Sequence, residues 1–372
     1  MTLHPVADNL LSAHRDILSV PRADQDFIDA QPFAAANERA QRVFGREKGS
    51  ELEVYGDVAS AEILSTGHVV LLDRSDGLIR VVDKSGVGVA AGGLGQGPGE
   101  FVEPITLFSH RDSLFVLDRA RAVHVFAMPE GSKPAYARTV RLPFEAEDAC
   151  HTSRGLLVLA PPITSGATGS PELNPAGASL HRLDGDGMVL ESFHVPYRST
   201  SPAVVQSLDA GRILCSPADG TITVAYSSLG EVHHLAADGE VRWITRLPNH
   251  SYPPLLEDPN GTVGPSADFR GAIDQVRHIA RYDDSLLVVS VTSTAVFEPG
   301  RPTTTRLGVM RRLDGAFLGY YTDETVAGLI YGDSEQFLLY RDLPHPAVTL
   351  RRVPVTPAGR PVGGAEERKR TP

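Results

Sequence analysis

The chain has 372 residues, with 35 Lys and Arg against 46 Asp and Glu and a formal net charge of -11 at neutral pH. That balance excludes a nucleic-acid binder, which needs a basic stripe to displace counterions from phosphates, and no stretch reaches the roughly 20 apolar residues of a membrane-spanning helix. The 35 Gly and 28 Pro punctuate many turns, and a chain of this length outgrows one ordinary hydrophobic core unless it is built by repetition.

Residues 1–20 are interrupted by His4, Asp8, Asn9, His14, Arg15 and Asp16 and lack the unbroken apolar core of a secretory signal. The expectation is a soluble, cytoplasmic protein. Leu10, Leu11, Ile17 and Leu18 recur at helical spacing, which predicts a short amphipathic helix over residues 7–20, packed as a lid because its polar face is not basic. Residues 34–44 read as a second short helix, so residues 1–50 are expected to form a short helical N-terminal arm. The segment 51–55 (ELEVY) then reads as a strand.

From there a repeat takes over. LFVLD at 114–118 has counterparts in VVLLD at 69–73, LLVLA at 156–160, RILCS at 212–216, LLVVS at 286–290 and FLLYR at 337–341. Each is preceded by another apolar segment, and several units end in tight polar turns such as Asp184-Gly185-Asp186-Gly187, Asp238-Gly239 and Asp314-Gly315. Asp-Gly pairs supply the positive backbone angles of a hairpin. Four antiparallel strands recurring every 45 to 70 residues or so predict an all-β six-bladed propeller with four-stranded antiparallel blades over residues 51–356. The last unit shows three strands, so ELEVY is assigned to complete it and close the ring. Residues 357–372 form a polar, Gly/Pro-rich tail.

The segment GQGPGEF at 95–101, followed by a strand, LFVLD and an alternating return strand, resembles a bacterial six-bladed β-propeller family related in architecture to NHL-repeat proteins. The resemblance implies a ring around a channel whose mouth carries the chemistry. Similar rings occur in strictosidine-synthase-like proteins and the peptidyl-hydroxyglycine amidating lyase, but their catalytic residues find no positional match here, and no activity carries over.

Blade-to-blade connections and the links between second and third strands share one face of such a ring. Three long segments, 161–177, 248–272 and 292–305, are therefore expected on one rim, where long loops bind or cover a ligand. Aligning the blades places Glu103, Asp148, His151, Asp274, His278 and Arg281 on or just before the innermost strands. Such a mixture can do acid–base work, hold a divalent ion or clamp an anionic substrate. Asp73-Arg74, Asp118-Arg119 and Arg341-Asp342 are expected to form ion pairs between neighbouring blades or to line the mouth for an anion.

Other motifs read as structure. GGLGQGPG precedes a strand rather than a helix, so it is a connecting turn, with Glu100 placed to engage its backbone N–H groups. His233 and His234 are adjacent on a strand and point to opposite faces. Cys150 and Cys215 have no metal-type spacing and are expected as buried thiols in a reducing compartment. Two functions remain. One is a soluble enzyme, plausible in specialised metabolism, acting on a small organic or peptide substrate by lyase, cyclase or hydrolase chemistry. It would need no organic cofactor, with or without a divalent metal, and would use His151 and His278 for proton transfer or as metal ligands, Asp148 and Glu103 as carboxylates and Arg281 as electrostatic stabiliser. The other is a binding scaffold with a plugged channel and an exposed apolar patch.

Overall fold

The computed structural model describes residues 42–50, 53–83, 88–129, 133–160, 178–198, 211–252, 271–282, 284–295, 303–322, 328–332, 336–341 and 346–352, with short strands at His4–Pro5, Leu11–Ser12, Leu18–Ser19, Leu255–Glu257 and Val263–Pro265. Six antiparallel sheets follow one another along the chain. Their innermost strands are Val58–Ile63, Pro104–His110, Asp148–Thr152, Gly211–Cys215, Ala272–Arg281 and Gly328–Gly332. The second strands, Val69–Asp73, Ser113–Asp118, Gly155–Leu159, Ile222–Tyr226, Leu286–Ala295 and Gln336–Arg341, are buried almost throughout in the first five blades, as befits strands covered on both faces.

Six apolar clusters hold the ring, one between each pair of neighbouring blades. The one that decides closure joins Phe44, Val58, Leu71 and Val82 of one end of the chain to Leu338, Tyr340 and Val348 of the other. Blade 6 is completed by Arg42–Phe44, which pairs antiparallel with the strand Ala347–Arg352 through Phe44↔Val348, Val43↔Thr349 and Arg42↔Leu350. The expected closing strand ELEVY is displaced by these three residues. Glu53 turns back on Ser50, and Tyr55 packs beneath the Arg80 guanidinium in the same interface.

The helical arm is not supported: no α-helix occurs among the described residues, and short strands occupy Leu11–Ser12, Leu18–Ser19 and Arg42–Phe44 within the spans predicted helical. Leu11–Ser12 pairs with Tyr197–Arg198, and Leu18–Ser19 adds in parallel to Ile244 and Thr245 on the outer edge of blade 4. A helix this short is marginal in water, whereas strand pairs such as Leu18–Ser19 satisfy backbone groups on an open sheet edge. Residues 161–177 and the tail 357–372 lie outside the described residues, as do most of the segments predicted helical. Among the described residues no helix is long and apolar enough to cross a membrane.

The repeat alignment slips in one place. RILCS is the innermost strand of blade 4, Gly211–Cys215, and the second strand there is Ile222–Tyr226. GQGPGEF is structural: Glu100 accepts from the Gly97 N–H at 2.8 Å, Phe101 is fully buried between blades 1 and 2, and a Cβ at Gly92 would stand 2.7 Å from the Phe101 ring.

Candidate functional site

The inner strands are anchored at their starting ends by the aspartates that close the second strands. Asp73 accepts from the N–H groups of Gly56 and Asp57 at 2.8 and 2.9 Å, and Asp118 from those of Val102 and Glu103 at 2.7 and 3.0 Å. Arg74 then pairs with Asp57, through two bonds of 2.9 and 2.7 Å, and Arg119 with Glu103 at 3.2 Å. The Asp-Arg repeats therefore tie each blade to itself rather than to its neighbour, and Asp342 of the third pair lies outside the described residues. Glu103 is spent on this device: it is half-exposed on the rim and does not line the channel.

The six inner strands enclose a cavity of about 300 Å³. Asp148, His151, His278 and Arg281 all line it, but not at one opening. Asp148 and His151 lie three residues apart on one strand, about 10 Å along its axis. Asp148 and His278 belong to the end where the inner strands begin, the side from which the long connections leave. His151 and Arg281 belong to the opposite end, beside the turns joining first to second strands.

At the loop-rich end Asp148 is buried and takes hydrogen bonds from the N–H groups of Ala149 and Ile213, each at 2.9 Å. Burial raises its pKa, against the pull of Arg212 and those hydrogen bonds. Burial together with Arg212, Arg277 and Arg74 pushes His278 down to about 3, so its ring is neutral at physiological pH. Arg212 was hidden by the slipped repeat, which placed it on a second strand.

At the far end the group that sequence reasoning missed is Glu62, on the inner strand of blade 1. Ser109 of blade 2 donates to its carboxyl through both hydroxyl and backbone N–H, and burial still carries the pKa up to about 7. Its Oε2 is buried with no hydrogen-bond partner. Next to Ser109, the His110 ring stacks on His151 at 3.6 Å, and burial, with the neighbouring His110, holds His151 down to about 4. The His151 Nδ1 is buried too, and the Thr152 backbone beside it gives no hydrogen bond of good geometry. Arg281 is occupied at 3.7 Å from Asp284, and Arg312 pairs with Asp219.

Cys150 and Cys215 are not free thiols. They form a disulfide between the inner strands of blades 3 and 4, whose juxtaposition brings the two Cα atoms to 5.8 Å. Sequence spacing cannot show that register. The pairing removes the free thiols on which the expectation of a reducing compartment rests. Among the described residues no group of three or more His, Cys, Asp or Glu side chains is arranged to hold a metal ion. His233 and His234 do face opposite ways: His233 binds Glu231 and His194, each at 3.1 Å, while His234 stacks on Trp243.

No family model and no curated protein matches the chain. Among solved structures, a member of the DUF4221 family from Bacteroides vulgatus aligns with a TM-score of 0.55 at 10% identity, covering 84% of this chain and 96% of its own. Virginiamycin B lyase from Staphylococcus aureus aligns at 0.44 and 12% identity, covering 79% and 94%, and the β-propeller domain of Myceliophteria thermophila Cps50 (Swd1) at 0.44 and 9%, covering 85% and 99%. Identities this low speak to fold alone, and the chain is an all-β, six-bladed β-propeller.

Proposed function

We propose that the protein is an enzyme acting on a small organic molecule held in the central channel, with Glu62 as the acid–base group of a lyase or cyclase reaction. One observation carries the reading: a carboxyl with a pKa of about 7 whose Oε2 is buried and unpartnered while Ser109 fixes the rest of the group. A pKa near the working pH suits a group that must both accept and return a proton. Buried polar atoms without partners are rare unless something else satisfies them.

In an elimination, Glu62 Oε2 takes a proton from substrate carbon. The C–H electron pair becomes the new double bond as the leaving group departs, and the same carboxylic acid returns the proton to that group. In a ring closure the proton comes from the attacking atom instead. His151, neutral at physiological pH, offers a hydrogen bond at the same end rather than a charge. The cavity sits at the small end of the range for ligand sites, which favours a compact molecule over a peptide. A cavity of this size lined by the inner strands also favours a ligand site over a core filled by side chains.

The test is to incubate wild type and Glu62→Gln with a fractionated small-molecule extract and follow every mass. Compounds converted by wild type, but not by a folded Glu62→Gln protein, support the reading. A wild type that converts none, or a variant converting the same compounds at the same rate, leaves the binding scaffold as the better account.

A further inference from the structure

In a protein of net charge -11, guanidinium groups have no shortage of carboxylates. Arg80, Arg246 and Arg306 each pair with a buried one, and Arg74 with Asp57. Two arginines at the end where the inner strands begin depart from this: Arg212, which lines the cavity, and Arg277, which precedes the cavity-lining His278 and whose backbone O meets Arg212. Among the described residues, neither Arg212 nor Arg277 forms an ion pair.

Arg212 is held across the opening by carbonyl oxygens alone. Its Nε donates to Arg277 O at 2.8 Å, and its Nη1 donates to Gly211 O at 3.0 Å and Glu147 O at 3.2 Å. Those oxygens belong to blade 5, to blade 4 and to the connection into blade 3. Nη2 has no bonded partner among the described residues. The Arg277 guanidinium, half-buried, makes no hydrogen bond there either. Burial lowers its pKa, and the like charges of Arg212 and Arg74 lower it further, while Asp57 opposes them. Asp57 is already engaged twice by Arg74, and Asp148 is committed to backbone N–H groups. The charges of Arg212, Arg277 and Arg74, from blades 4, 5 and 1, thus all bear on a neutral His278, and among the described residues neither Asp57 nor Asp148 is left free to balance them.

Crowded, partly desolvated like charges raise the energy of the folded state unless an anion joins them. A guanidinium fork matches the oxygens of a carboxylate or phosphate. We infer that Arg212 and Arg277, with Arg74 behind them and His278 as a neutral hydrogen-bond partner, form a site for the carboxylate or phosphate head of a small organic ligand. The inference rests on the reading of the channel as a substrate site only in placing the ligand's reacting part near Glu62, about 10 Å deeper along the inner strands. The anion site itself depends on the arginines alone.

Calorimetric titration of the full chain with inorganic phosphate, and separately with succinate, at fixed ionic strength tests it. Wild type should bind at least one of them saturably at a single site. Phosphate alone would identify a phosphate ester, succinate alone a carboxylate, and either supports the site. Arg277→Gln should weaken binding at least tenfold, Arg277→Lys should keep part of it, and the rim substitution Arg154→Gln should change nothing. In anion-free buffer Arg277→Gln should also unfold at a higher temperature than wild type, because it relieves repulsion. A merely structural arginine would do the reverse. If neither anion saturates wild type, or Arg277→Gln binds as wild type does, the inference is wrong, whatever Glu62→Gln does to turnover. Anion binding lost in Arg277→Gln, together with no conversion depending on Glu62, would keep this site and remove the acid–base reading.

Discussion

Replacing Glu62 by glutamine should make the protein more resistant to unfolding as the solution becomes alkaline. In the folded protein burial holds this carboxyl at about 7 against an ordinary value of 4.5. Between those pH values the unfolded chain has released a proton that the folded protein keeps. The folded state then binds more protons, so stability falls as pH rises through the window and levels off above it. The full gap corresponds to roughly 3 kcal/mol, and relaxation around the buried carboxylate reduces this to about 2 kcal/mol. Glutamine carries no such cost. The stability of Glu62→Gln relative to wild type should therefore improve by about 2 kcal/mol between about pH 5 and about pH 8.5. Differential scanning calorimetry of both proteins across that range gives the slope, which matters more than any constant offset from the substitution. A difference in unfolding temperature that stays flat across the range would show that Glu62 titrates normally, and its role as a proton shuttle near neutrality would fall with it.

Asp118 gives the opposite pH behaviour. Burial alone would raise its pKa, but His124 and the N–H groups of Ala120, Glu103 and Val102 outweigh it and bring the carboxyl to about 2. The stabilisation it supplies is present above the ordinary value of 3.8 and lost as pH falls towards 2. Asp118→Ala, which strands those donors, should cost about 3 kcal/mol at neutral pH and flatten the acid limb of unfolding temperature against pH. An unchanged acid limb would mean the carboxylate is not the anchor. The disulfide closes a loop of 65 residues, which chain-entropy reasoning values at roughly 4 kcal/mol. Intact mass of the purified, unreduced protein should be two hydrogens short of the free-thiol value, and Cys150→Ala with Cys215→Ala should unfold earlier. Two titratable thiols in the purified native protein would contradict the pairing.

Features set by a few neighbouring residues were readable in the chain. Asp184 to Gly187, Asp238-Gly239 and Asp314-Gly315 make the hairpins their composition demands, with positive φ at Gly187, Gly239 and Gly315. The polar turn at GQGPGEF, including the part played by Glu100, follows from the same local logic. Features set between blades were not. RILCS reads like a second strand because Ile213 and Cys215 pack into the interface of blades 3 and 4, so apolar content cannot tell an innermost strand from the one outside it. That ambiguity concealed Arg212. Glu62 passes for a solvent-facing position in an alternating strand, when the solvent it faces is the inside of a channel. Arg42–Phe44 is three residues long, below what any periodicity detects, and its partner strand lies at the other end of the sequence.

That last pairing has a mechanical consequence. The rungs joining Arg42–Phe44 to Val348, Thr349 and Leu350 span about 300 positions of chain, the longest separation among the described strand pairs, ahead of His4 with Glu257. The four blade strands of each of the first five sheets can assemble from contiguous sequence, in order, as the polypeptide emerges. The sixth cannot, since its outer rail is made first and its inner rails last. The hoop is therefore latched at one seam of three residues, and slackening there would let the bore widen and pull the arginine rim away from the buried carboxyl below it.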